Sequence, residues 1–221
     1  MSDLNSKREI VYNLIMEDIL SMEYKPNDIL NEKNLIDKYG YSKTSVREAL
    51  LALCEENVLV NLPRYGYQVV RITTEDIWEM LQFRGILEIG VLSLAYDSFT
   101  EEQLATLEEI DRKCTQADDD LWEHWKYNTE FHLTLVSYCN NSYADEVLRK
   151  TMHRLKRGYA QFYGASRQTA SFSIDTSYHK DIIRCLRNKD LENLRLFIRK
   201  DLNMFGGQNY SLNKKFDNVI F

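Results

Sequence analysis

Four polar residues in the C-terminal half of the chain have the types and spacing of a metal site. Asn128 and His132 are four apart in KYNTEFHLTL, so they project from the same side of one helix. His179 lies in SYHKDIIRCL, where Ile182, Ile183 and Leu186 define an apolar face, and Asp201 lies in LRLFIRKDL. Two imidazoles, a carboxylate and an amide oxygen turned into a helical bundle can hold a divalent cation. The donor set suits Zn, Ni or Mn and does not choose among them. Two histidines and one carboxylate also serve non-haem iron enzymes. Here, however, they come with no nucleophile–base pair and no phosphate-cradling loop, which argues against catalysis. His124 and His153 read as ordinary surface or internally satisfied histidines.

A second constellation lies near the N-terminus, in GYSKTSVREALLAL (Gly40 to Leu53). Ser42 is placed to cap a helix. Val46, Ala49, Leu50 and Leu53 then form an apolar stripe at i, i+3, i+4 and i+7. Lys43 and Arg47, four apart, fall together off that stripe, and Thr44 is also on the exposed side. Arg and Lys donate to guanine O6 and N7, Ser and Thr bond bases or phosphates, and a helix N-terminus offers free N–H groups to a phosphate. This is the chemistry of a recognition helix in the major groove. Lys33 before it and Arg64 after it could clamp the flanking backbone, and Gly66 would let a hairpin approach the duplex closely.

The elements that must position these residues follow from periodicity and punctuation. A first helix over about 7–22 buries Val11, Leu14, Ile15, Ile19 and Met22 and is broken by KPND. Asn31 caps a short helix ending at Gly40. After the Ser42 helix, NVLVNLPRYGYQVVRI reads as two strands about a Pro-Arg-Tyr-Gly turn. Helix, helix, tight turn, helix, hairpin is the order of a winged helix-turn-helix. From Thr73 the pattern changes to long amphipathic stretches over about 74–97, 101–117, 121–139, 143–163, 173–187 and 190–204. Thr73 with Asp76, Thr100 with Gln103 and Ser142 with Asp145 have capping-box spacing. The expectation is a mainly α chain: a winged helix-turn-helix over 1–72, then an antiparallel all-α bundle of about six helices over 73–221. The tail after the two glycines would pack in part through Val219, Ile220 and Phe221, or fray.

Composition agrees with this plan. The chain has 221 residues, 8 Gly and only 2 Pro, which favours long helices over a turn-rich β protein. Cys54, Cys114, Cys139 and Cys185 form no CxxC pair and read as small interior residues, not as disulfides or zinc ligands. The apolar runs are too short to span a bilayer, and the N-terminus lacks the pattern of a signal peptide, so a cytoplasmic location is expected. The net charge is −6. Nucleic-acid binding must therefore rest on a few placed cations, not on a general basic surface.

Two resemblances sharpen these readings. ILNEKNLIDKYGYSKTSVREALLALCEENVLVNLPRYGYQV, within residues 8–71, resembles the DNA-binding domain of the GntR family of bacterial transcription regulators, through its intact SVREAL core and the Gly66 wing. The resemblance implies that Lys33, Ser42, Lys43, Ser45, Arg47 and Gly66 lie at or near DNA. Thr44 and Arg64 join them on physical grounds. Residues 74–204 resemble the FCD ligand-binding domain of the FadR-type subgroup, through EMLQFRGILEIGVLSLA, NTEFH and YHKDIIRCLRNKDLENLRLFIRKDL. The family metal set of Asp or Asn plus three His would map to Asn128, His132, His179 and Asp201, with Asp201 standing in place of the last His. Arg84 resembles the family arginine that holds an acidic effector, and a guanidinium suits a carboxylate. The alternative for Arg84 is a surface ion pair with Glu88, worth little. The resemblance implies a dimeric, ligand-responsive regulator of operator DNA, most simply a repressor. Its effector would be a small organic acid, a divalent metal, or both.

Overall fold

A capping side chain and an apolar stripe coincide at the two helices over 32–39 and 43–55. The computed structural model describes residues 2–117, 120–163 and 177–203. Helix α1 (Ser2–Leu20) buries Val11, Ile15 and Ile19. Helix α2 (Glu32–Tyr39) is capped by the Asn31 side chain, which accepts from the Lys33 N–H, and ends on Gly40 in the left-handed region at φ 74°. Helix α3 (Lys43–Glu55) is capped by the Ser42 hydroxyl, which accepts from the Ser45 N–H. Its buried Val46, Ala49, Leu50 and Leu53 join the α1 residues and Leu35 in one core. Asp18 on α1 receives Lys38 Nζ at 2.6 Å and the Tyr39 hydroxyl, which ties the end of α2 to α1.

The hairpin forms as expected, with β2 (Leu59–Leu62) antiparallel to β3 (Gly66–Val69). An additional two-residue strand, β1 (Ile29–Leu30), pairs with the other edge of β3, giving the order β1-β3-β2. Two residues are too few to show a period, so β1 read only as part of the break after the first helix. It also gives Gly66 a reason within the fold. That residue has φ +129°, and a Cβ there would sit 2.4 Å from the Leu30 carbonyl oxygen. One close approach that requires glycine is therefore made by β1, inside the fold.

The remaining helices among the described residues are α4 (Thr74–Ala95), α5 (Glu101–Gln116), α6 (Leu121–Ser137), α7 (Ser142–Tyr163), α8 (His179–Arg187) and α9 (Leu191–Leu202). The Thr100–Gln103 capping box is complete. Asp120 and Asp190 cap α6 and α9. At α7 the side-chain oxygen comes one residue earlier than expected, from Asn141, which accepts from the Ala144 N–H. Helix α5 packs on α6 and α8, while α9 packs on α4 and α8. The expected start of the eighth helix at residue 173 and the tail with Val219, Ile220 and Phe221 lie outside the described residues. Contacts divide the described residues into two compact units, 2–73 with 157–163 and 74–156 with 177–203. None of the four cysteines is in a disulfide. No helix among the described residues is long and apolar enough to cross a membrane.

Candidate functional site

In the helical unit, five helices each deliver one or two charged or polar side chains to a single buried spot. His132 on α6, His179 on α8 and Asp201 on α9 offer ligand atoms that all lie within 4.8 Å of one another. All three residues are buried. The His132 Nε2 is 3.0 Å from Asp201 Oδ2, and the His179 Nε2 is 3.7 Å from Asp201 Oδ1. The second distance is too long for a hydrogen bond, and both of its atoms are buried without a hydrogen-bond partner. Leaving two such atoms facing each other is costly unless something fills the gap. Asn128, one turn before His132, lines the adjoining cavity with Arg84, His132 and Asp201. That cavity measures about 20 Å³, room for one water- or ion-sized occupant. Orphaned facing donors, an ion-sized space and a nitrogen–carboxylate donor set fit a divalent cation such as Zn, Ni or Mn.

Two residues that sequence reasoning missed complete the cluster. Glu88 on α4 is fully buried and uses both carboxylate oxygens: Oε1 accepts from Arg84 Nε at 2.8 Å, and Oε2 meets His132 Nδ1 at 2.8 Å. Asp111 on α5, also buried, meets His179 Nδ1 at 3.2 Å. Phe131 stacks flat on the His179 ring, centroids 3.7 Å apart. The surface pair considered for Arg84 and Glu88 is thus corrected to a buried one, with the two side chains 4% and 0% exposed. A signal was present in the sequence: Glu88 follows Leu81 by seven and precedes Leu92 by four, and Asp111 follows Leu104 by seven and Leu107 by four. Both carboxylates occupy core positions of an apolar stripe.

The electrostatics follow from this packing. Burial alone would raise the Glu88 carboxyl, but the Arg84 guanidinium and His132 beside it outweigh that and hold it down at about 2. Burial likewise disfavours a charged His132. Glu88 and Asp201, on its two nitrogens, outweigh burial and Arg84 and lift it to about 8. Without a metal, the two carboxylates thus favour the protonated form of His132 over the neutral one. Arg84 keeps its Nη2 buried with no hydrogen-bond partner, and this atom belongs to a side chain on the cavity wall.

In the N-terminal unit the candidate residues are mostly at the surface. Lys33, Ser42, Lys43, Thr44, Arg47 and Arg64 are exposed. Lys33, Lys43, Arg64 and Gly66 line one shallow surface depression bounded by α2, α3 and the hairpin. Arg47 sits one turn along α3 from Lys43. Ser45 is placed differently: it is buried, and its hydroxyl lies 3.0 Å from that of Ser42. It supports the cap instead of facing outward. Arg64 at the hairpin tip adopts φ +74°, and the neighbouring Tyr65 is 74% exposed.

Comparison with known proteins gives this arrangement its class. Residues 7–69 match the model of the bacterial regulatory proteins of the gntR family, and residues 79–203, more than half of the chain, match the FCD domain. The chain belongs to the GntR family of transcription regulators, with an FCD domain following its winged helix-turn-helix. The HTH-type transcriptional regulator McbR of Escherichia coli is 30% identical over 173 residues, 77% of this chain and 78% of McbR. An uncharacterized HTH-type regulator of Bacillus subtilis, YdhC, is 28% identical over 141 residues, 62% of each chain. The solved structure of E. coli McbR/YncC superposes with a TM-score of 0.74 at 25% identity, covering 90% of this chain and 94% of that one. These relatives are regulators, not enzymes.

Proposed function

We propose that the protein is a homodimeric, ligand-responsive repressor that reads a pseudo-palindromic operator. On this reading Lys43 and Arg47, with Thr44, address base edges from α3, while Ser42, Lys33, Arg64 and the wing at Gly66 hold the flanking backbone. Ser45 contributes through the cap it supports. In the helical unit, Asn128, His132, His179 and Asp201 hold a divalent metal. When bound, the metal supplies a fixed positive charge that satisfies the facing donors at Asp201. Arg84, with its free Nη2 beside the same cavity, receives the carboxylate of a small organic acid.

The observation that carries the sensing half is the convergence of two imidazole Nε2 atoms on one carboxylate, with His179 Nε2 and Asp201 Oδ1 3.7 Å apart and both lacking a hydrogen-bond partner. The cavity volume adds a constraint. At about 20 Å³ it takes an ion as it stands, and an organic acid only after its walls move. This favours a second reading, in which the metal alone is the effector. Either ligand regulates only by binding the DNA-competent and incompetent arrangements unequally.

The test is an operator titration at several salt concentrations, with and without a chelator and with added organic acids. Arg47→Ala should weaken specific binding by about 1–3 kcal/mol and leave the folding transition unchanged. Specific binding that survives the substitution intact overturns the role assigned to α3. Operator affinity indifferent to metal and to every acid overturns the sensing role.

A further inference from the structure

We infer that Glu88 and Asp111 are the positioning residues of the metal centre. Each fixes one imidazole through Nδ1 so that its Nε2 points at Asp201. The inference rests on the metal reading above and goes beyond the ligands themselves. An imidazole has two nitrogens, and the partner of one decides which way the ring faces and which nitrogen is left for an ion. His132 Nδ1 is 2.8 Å from Glu88 Oε2 and His179 Nδ1 is 3.2 Å from Asp111 Oδ1. The two rings are thereby presented in the same sense from different helices, and both Nε2 atoms come to opposite oxygens of one carboxylate. Neither orientation is set by the ligand helices alone, because Glu88 is on α4 and Asp111 on α5.

Glu88 carries a second duty. Its other oxygen takes Arg84 Nε at 2.8 Å, so one carboxylate joins the metal centre to the cationic wall of the cavity. Both of its oxygens are in use. Glutamine has one acceptor oxygen and could serve only one of the two partners. If its NH2 faced His132 Nδ1, the ring proton would be driven to Nε2, the atom the ion needs.

The experiment uses the full-length protein, stripped with chelator and titrated with Co2+ against a competing chromophoric chelator. The Co2+ visible spectrum is recorded alongside. Glu88→Gln and Asp111→Asn are compared with wild type and with the ligand variant His132→Ala. Each outer variant should weaken Co2+ binding roughly 10- to 100-fold and shift the ligand-field bands, while His132→Ala loses the high-affinity site. Wild-type affinity and an unchanged spectrum in both outer variants would overturn the inference while leaving the metal reading intact. A wild type that does not bind Co2+ overturns the metal reading itself, and the inference with it. Should Glu88→Gln fail to fold, because Arg84 or His132 loses its buried partner, Asp111→Asn decides the question alone. It leaves the Arg84–Glu88 pair untouched.

Discussion

The two units spend their charges in opposite ways. Around α3 the cations Lys33, Lys43, Arg47 and Arg64 are exposed. Around the candidate metal site Arg84, Glu88, Asp111, His132, His179 and Asp201 are all buried. A solvated cation costs the fold little and remains free for a partner. A buried one must be matched from within, because removing one member strands the others in a poor dielectric. Substitutions in the first region should therefore change binding and spare stability. Those in the second should change both.

The sharpest way to break this contrast is Arg84→Ala. It leaves the fully buried Glu88 with His132 as its only cationic neighbour among the described residues, and should lower stability by about 3–5 kcal/mol in urea unfolding of the metal-free protein. A loss within the range of a surface substitution would mean that Arg84 belongs with the exposed cations. Next in size is Gly66→Ala, where the backbone conformation and the Leu30 carbonyl both oppose a Cβ. A cost of roughly 1–3 kcal/mol is expected, with DNA affinity falling only as the wing distorts. If instead stability holds and only DNA binding falls, the glycine serves the duplex and not β1.

A pH series sharpens the comparison further, although its effect is smaller. In chelator-treated protein the folded His132 titrates near 8, above its ordinary value of about 6.5. Its contribution to stability is complete below about 6.5 and disappears as pH rises through 8. Glu88 runs the other way. Held at about 2, it contributes above its ordinary value of about 4.3 and is lost as pH falls towards 2. Urea midpoints measured from pH 3 to 9 should therefore decline at both ends. His132→Gln should flatten the alkaline limb, whereas Arg47→Ala should leave the curve's shape unchanged.

Much of the molecule was legible from local chemistry. Ser42, Asn31 and Thr100 can form their caps from the sequence next to them, and Gly40 ends α2 for a reason that applies in any fold. The stripe Val46, Ala49, Leu50 and Leu53 settles which side of α3 is buried, and hence that Lys43 and Arg47 face outward. Asn128, His132, His179 and Asp201 were singled out by residue type, by the i, i+4 spacing of the first pair and by resemblance.

Other features required the packed structure. Ser45 lies next to the exposed Thr44 and still faces inward, because its hydroxyl completes the Ser42 cap. Strand β1 exists only because β3 offers it an edge. Glu88 and Asp111 fall in the apolar phase of their helices, which marks them as interior, but which histidine each one meets is set only by packing. Residue type and helical phase thus determined this protein's elements, caps and candidate donors, because those depend on neighbours within a turn or two. Only the tertiary structure decided that five helices bring two imidazoles to opposite oxygens of Asp201, each ring held from behind by another carboxylate. That arrangement depends on contacts between residues as far apart as Glu88 and His132 or Asp111 and His179, and no local pattern records them.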